Sequence, residues 1–138
     1  MAISDGNGLP VSINIASASP HEVTLAEAVV AKCFVPDEKP ARLIGDKAYD
    51  SDPLDARLAI EQGIELIAPH RLASGFRKRP RTQDGRVLRR YKRRWKIERM
   101  FAWLQNFRRI LVRYDYYSDN YLGFVQLGCM LILLRRCL

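Results

Sequence analysis

The chain has 138 residues, room for one domain with a core of its own, and its 48% hydrophobic and 28% charged residues exclude general disorder. The net charge of +8 hides a split. Residues 1–70 carry 5 basic and 11 acidic side chains and residues 71–113 carry 16 basic and 2 acidic ones, which points to a polyanionic partner for the second segment.

The chain begins with a short strand at Met1–Ser4, and Asp5-Gly6-Asn7-Gly8 follows as a hairpin turn signal. Pro10–Ala18 alternates Val11, Ile13 and Ile15 with small polar residues, the period of a half-buried strand. Asp5 is read as a turn residue. A helix is expected over Thr24–Phe34, with His21 in its lead-in, and then a loop at Pro36–Pro40. Ala41–Gly45 reads as a buried strand that delivers Asp46 to its carboxyl end, where open α/β sheets place their ligand crevice. Ser51 or Asp52 caps the next helix, Pro53 sits in its first turn, and Gly63 ends it after Gln62. Ile64–Ala68 is the following strand. This alternation predicts an α/β layer with parallel strands joined through helices.

Residues 71–83 form a basic loop with glycine and proline, and a long helix is expected over 84–113. Its apolar stripe is Ile97, Phe101, Leu104, Phe107 and Leu111, with Met100 alongside. At about 100° per residue, Tyr91, Arg94, Glu98, Gln105 and Arg109 share one line beside that stripe. A closing helix over 119–137 completes the core. Its longest apolar run, Tyr121–Leu134, is shorter than the roughly 20 residues of a membrane span. Cys33, Cys129 and Cys137 lack metal-ligand spacing and read as thiols of a reducing cytoplasm.

Glu98 is the one acid among the bases of Tyr91–Arg113. It is either an ion-pair partner of Arg94 or Arg90 on a solvated face, or a catalytic carboxylate. Asp46 is either a turn residue or its companion. Two such acids at a sheet edge, ringed by bases, suit Mg²⁺-dependent phosphoryl transfer, because Mg²⁺ is held by one or two carboxylates together with substrate phosphate.

The blocks GDKAYDSD at Gly45–Asp52 and YKRRWKIERMFAWLQNFRRI at Tyr91–Ile110 resemble the DDE transposases of bacterial insertion sequences. The Gly8–Pro10 hairpin and Ala18–Leu25 resemble them too. The resemblance implies an RNase H-like (integrase-like) mixed sheet flanked by helices, ending in a long basic helix. It implies three metal-binding acids, of which Asp46 matches the second and Glu98 the third. Tyr91, Arg94 and Glu98 match a family signature in type and spacing, whereas its lysine position is Gln105, with Arg108 or Arg109 as substitutes. The first acid is expected on a strand upstream of the hairpin, so the chain reads as an N-terminally truncated catalytic domain with little activity alone.

By the same resemblance the partners are insertion-sequence ends and target DNA, held by Tyr91, Lys92, Arg93, Arg94, Lys96, Arg99, Arg108 and Arg109. A homodimer or a companion transposase polypeptide joins them, with Mg²⁺ (or Mn²⁺) as cofactor and no membrane. The alternatives are a non-catalytic nucleic-acid-binding module and another RNase H-like nuclease.

Overall fold

The computed structural model describes residues 1–17, 19–33, 40–70 and 85–137. The basic stretch 71–83 and most of the loop at 36–40 lie outside them.

Strands β1 (Ala2–Ser4) and β2 (Pro10–Ile13) form an antiparallel hairpin. The turn is built by Asp5, whose Oδ1 accepts from the backbone N–H groups of Asn7 at 2.8 Å and Leu9 at 2.7 Å. Gly8 supplies the positive φ of 86° that closes it. β2 is shorter than the alternating pattern predicts, and both its faces are covered. Ser12 is fully buried because its hydroxyl donates to the Val29 carbonyl at 2.6 Å, tying the hairpin to helix α1 (Glu22–Ala31).

Strand β3 (Arg42–Ile44) pairs in parallel with β4 (Glu65–Ile67) across helix α2 (Asp52–Arg57), which continues as a π turn over Leu58–Gln62. Ser51 is the residue before the helix, Pro53 lies in its first turn, and Gly63 stops it at φ 69°. This is the predicted strand–helix–strand unit. The hairpin does not pair with it: among the described residues there are two two-stranded sheets, β1–β2 and β3–β4, rather than one layer.

The expected single helix over 84–113 is broken into pieces. Helix α3 (Gly85–Tyr91) passes through a 3-10 turn at Lys92–Arg94 into α4 (Trp95–Gln105), and Asn106-Phe107 bends the chain before α5 (Arg108–Leu111). Phe107 leaves the helical region, at φ −88° and ψ 111°. The apolar stripe therefore stops short of Leu111, which is 61% exposed, while Met100 and Leu104 are buried. Helix α6 (Ser118–Cys137) closes the fold.

Two apolar clusters result. One joins Ile13 to Met100, Leu104, Val125, Cys129 and Ile132, binding the hairpin to α4 and α6. The other joins Val30, Leu54, Leu58 and Ile64, binding α1 and α2 to β3–β4. β1 belongs to both: Ala2 packs on the first and Ile3 on the second, as alternation along a strand requires. No helix among the described residues is long and apolar enough to cross a membrane.

Candidate active site

Asp46 lies immediately beyond β3, where the chain turns into a 3-10 segment at Lys47–Tyr49. Its Oδ1 accepts from the Lys47 backbone N–H at 2.6 Å, which fixes the carboxylate at the strand's carboxyl end. Tyr91, at the end of α3, donates its hydroxyl to the same oxygen at 3.3 Å. Arg94 donates from Nη1 to Asp46 Oδ2 at 3.1 Å.

The other side of that guanidinium meets Glu98. Arg94 Nη2 lies 2.8 Å from Glu98 Oε1, four residues along the chain. One planar cation therefore spans two carboxylates, one from the β3 end and one from α4. Arg94 also lies over the Tyr91 ring, 5.6 Å from its centroid. Burial and the adjacent Asp46 carboxylate hold the Tyr91 phenol above its ordinary pKa, so it stays a hydrogen-bond donor at neutral pH.

The cluster is open to solvent. About half of each carboxylate side chain is exposed, 49% for Asp46 and 58% for Glu98. Two carboxylates with exposed oxygens are a donor set that suits Mg²⁺, which keeps waters and takes only one or two protein carboxylates. Among the described residues no group of three or more His, Cys, Asp and Glu side chains is placed to hold a metal.

The remaining basic candidates divide. Lys92 and Arg93 are exposed on the 3-10 turn, and Arg108 and Arg109 are exposed on α5. Beyond the bend, Arg109 lies over the Phe124 ring of α6 at 4.6 Å. Gln105 is exposed at the end of α4.

Lys96 and Arg99 face the hairpin instead. Lys96 Nζ donates to the Gly6 carbonyl, and Arg99 Nη2 donates to the Asn7 carbonyl at 2.6 Å. The Arg99 guanidinium is sandwiched between Trp95 and Trp103, 4.6 and 4.9 Å from their centroids. The sequence offered a signal for this: Trp95, Arg99 and Trp103 are spaced four apart, one turn each, so a helix must stack them.

A second polar group escaped sequence reasoning. His70 Nδ1 lies 2.9 Å from Asp50 Oδ1, joining the two ends of the α2–β4 unit. Burial, with the neighbouring Asp50 and Asp52, raises the Asp55 carboxyl above its ordinary pKa.

The sequence model of the family described as "Transposase DDE domain" matches residues 1–134. The chain is 31% identical over 137 residues to a Burkholderia cepacia protein named as transposase of insertion sequence element IS402. That match takes in 94% of this chain but 59% of the relative, so the chain spans about three-fifths of that protein's length. A Brucella ovis protein, named as transposase of insertion sequence element IS6501, is 36% identical over 93 residues, 67% of each chain. No solved structure matches the chain. The two blocks that carry Asp46 and Glu98 thus sit within a match running almost end to end, and the chain belongs to the DDE transposases of insertion sequences.

Proposed function

We propose that Asp46, Glu98, Arg94 and Tyr91 form part of the site at which a transposase cuts and joins DNA strands at insertion-sequence ends. The catalytic domain is read as RNase H-like, with Asp46 and Glu98 holding Mg²⁺ or Mn²⁺. The observation that carries this is the single guanidinium of Arg94 shared by the carboxylates of Asp46 at the end of β3 and Glu98 on α4.

The bound metal would supply positive charge for the attacking and leaving oxygens of a phosphodiester. The chain's own residues do the rest. Asp46 is oriented by the Lys47 N–H, so its second oxygen stays turned towards Arg94. Arg94 draws the two acids together and offsets their mutual repulsion. When a phosphate approaches, Arg94 is the nearest planar donor, suited to two parallel hydrogen bonds. Tyr91 keeps its proton, so its hydroxyl can donate a hydrogen bond to a phosphate oxygen in place of Asp46. Lys92, Arg93, Arg108 and Arg109 supply exposed charge for the flanking backbone. Lys96 and Arg99 contribute by holding the hairpin turn against α4.

The simpler reading is a nucleic-acid-binding module in which Arg94 merely neutralises two surface acids, and the present ion pairs are what that reading expects. Manganese titration followed by electron paramagnetic resonance separates the two. Binding by the wild type, lost in both Asp46→Asn and Glu98→Gln, supports the metal site, whereas equal binding by all three removes it. In a strand-nicking assay on insertion-end DNA the chain alone is expected to be weak. Nicking that survives Glu98→Gln takes that carboxylate out of the reaction.

A further inference from the structure

The turn between α5 and α6 puts three tyrosines on the surface. Tyr114 is 63% exposed, Tyr116 89% and Tyr117 67%, and none of them joins either apolar cluster. A single exposed ring is ordinary. Three within four residues, on a loop held in one shape, form a surface suited to being covered.

Two neighbours hold that shape. Arg113 donates from Nε to the Asp115 carbonyl at 3.1 Å and from Nη2 to the Tyr116 carbonyl at 3.5 Å. Its guanidinium lies over the Tyr121 ring, 5.4 Å from the centroid. Tyr121 in turn donates its hydroxyl to the Ile110 carbonyl at 2.9 Å and its backbone N–H to the Tyr117 carbonyl at 3.3 Å. The loop is thus tied through its backbone to α5 and α6, and the three exposed rings take no part in the tie. Tyr116 and Tyr117 meet edge to face, with planes 89° apart and centroids 5.2 Å apart, so one ring uses only its edge and keeps both faces open.

Charge says what kind of partner these faces suit. Arg108 and Arg109 are exposed on α5, and Arg109 lines a surface hollow together with Asp115 and Asp119. Three arginines and two aspartates lie between residues 108 and 119, and Asp115 keeps its Oδ2 buried rather than turned to solvent. Open aromatic faces beside exposed arginine fit flat groups carried on a chain of phosphates.

We propose that the Tyr114–Tyr117 loop is a stacking platform for unpaired bases of a DNA strand whose phosphates run past Arg108 and Arg109. Inside a duplex each base is covered on both faces by its neighbours, so only a frayed end or a displaced strand offers a face to a tyrosine. An aliphatic protein surface would cover the rings too, but it would leave the exposed arginines without a counter-charge. The platform deepens the proposed function, and it rests on DNA being the partner.

The test uses the full chain with three labelled probes: an oligothymidylate strand, an abasic strand of the same length and charge, and a duplex. Affinities are read by fluorescence anisotropy at several salt concentrations. The thymidylate strand is expected to bind at least roughly fivefold more tightly than the abasic one. Tyr116→Ala and Tyr117→Ala should each narrow that difference, Tyr116→Phe should keep it, and the salt slope should stay unchanged because no phosphate contact is lost. Equal binding of the abasic strand overturns the proposal, as does a difference that survives both alanine variants. A salt slope that falls with Tyr116→Ala also overturns it, since the loop would then serve the backbone. So does self-association of the chain that disappears in Tyr116→Ala, because the rings would then meet a second copy. Duplex binding that persists while the abasic strand binds equally removes this platform alone, whereas failure of all three probes removes the proposed function with it.

Discussion

The Arg99 guanidinium donates to the Asn7 carbonyl at the tip of the hairpin, 2.6 Å away, while two tryptophan rings of its own helix hold it flat. The contact leaves little room at the neighbouring Gly8. A Cβ there would lie 3.1 Å from Arg99 Nη2 and 3.2 Å from the Lys96 carbonyl, at a φ of 86° that favours glycine. Gly8→Ala is therefore expected to destabilise the chain by about 1–3 kcal/mol through strain and crowding together. Urea unfolding followed by circular dichroism measures it, and an unchanged midpoint would show that the turn does not bear on α4.

Arg94 competes with any divalent ion for the same two carboxylates. A unit charge about 4 Å away is worth about 1 kcal/mol in water, close to a fivefold change in affinity. Arg94→Ala should bind Mn²⁺ about that much more tightly than the wild type, although the pairs it removes are exposed and worth about 0–1 kcal/mol each to folding. Weaker manganese binding by the variant would mean that Arg94 positions the acids more than it screens them.

Exposed arginine on α5 offers a cleaner probe of the polyanion. Each phosphate neutralised contributes about 0.9 to the slope of log affinity against log salt. Arg108→Ala should lower that slope by about 1 without changing sequence preference, as a backbone contact does. Duplex titrations at several salt concentrations decide the point, and an unchanged slope places the DNA elsewhere.

Asp55 gives stability a pH dependence. Burial comes first and the Asp50 and Asp52 charges next in raising its carboxyl pKa, against an opposing pull from His70. A carboxyl that binds its proton more tightly in the folded state loses stability as pH rises through the folded pKa. The stability of Asp55→Asn relative to wild type should thus improve from acid towards neutral pH. Chemical denaturation across that range tests it, with a flat difference contradicting the assignment.

Thiol chemistry distinguishes Cys33 from Cys129. Burial raises both thiols, but Cys129 is pushed up to about 11 with only 6% of the residue exposed, whereas Cys33 is half-buried. A thiol reagent at pH 8 should modify Cys33 in the native chain and Cys129 only when α6 opens. Peptide mapping after timed labelling would reveal comparable rates if α6 is loosely packed.

The convergence of Tyr91, Arg94 and Glu98 on one helix line was legible in the sequence. The helical angle that places Tyr91, Arg94 and Glu98 together needs only a continuous first turn, and the 3-10 segment at Lys92–Arg94 leaves their convergence intact. Asp46 followed from an apolar run bounded by proline and a polar turn, because a strand this short has one plausible end. The break at Asn106-Phe107 was hidden, since Phe107 fits the helical stripe and serves as the apolar contact that anchors the bend. Charge alone also gave no sign that Lys96 and Arg99 meet the hairpin carbonyls. A basic residue looks the same in sequence whether it meets a phosphate or a backbone carbonyl.

Gly128 gives the bend its direction. A Cβ on that residue of α6 would stand 2.7 Å from Ile110 Cδ1 and 3.1 Å from Leu104 Cδ2, so side chains from both sides of the bend press onto bare backbone. The elbow is thus socketed rather than hinged: α5 cannot swing without lifting Ile110 from its notch. Arg108 and Arg109 are carried at a set offset from Glu98, like a gauge whose jaw has been locked. A bulkier side chain at position 128 would change that spacing without altering a single charged group.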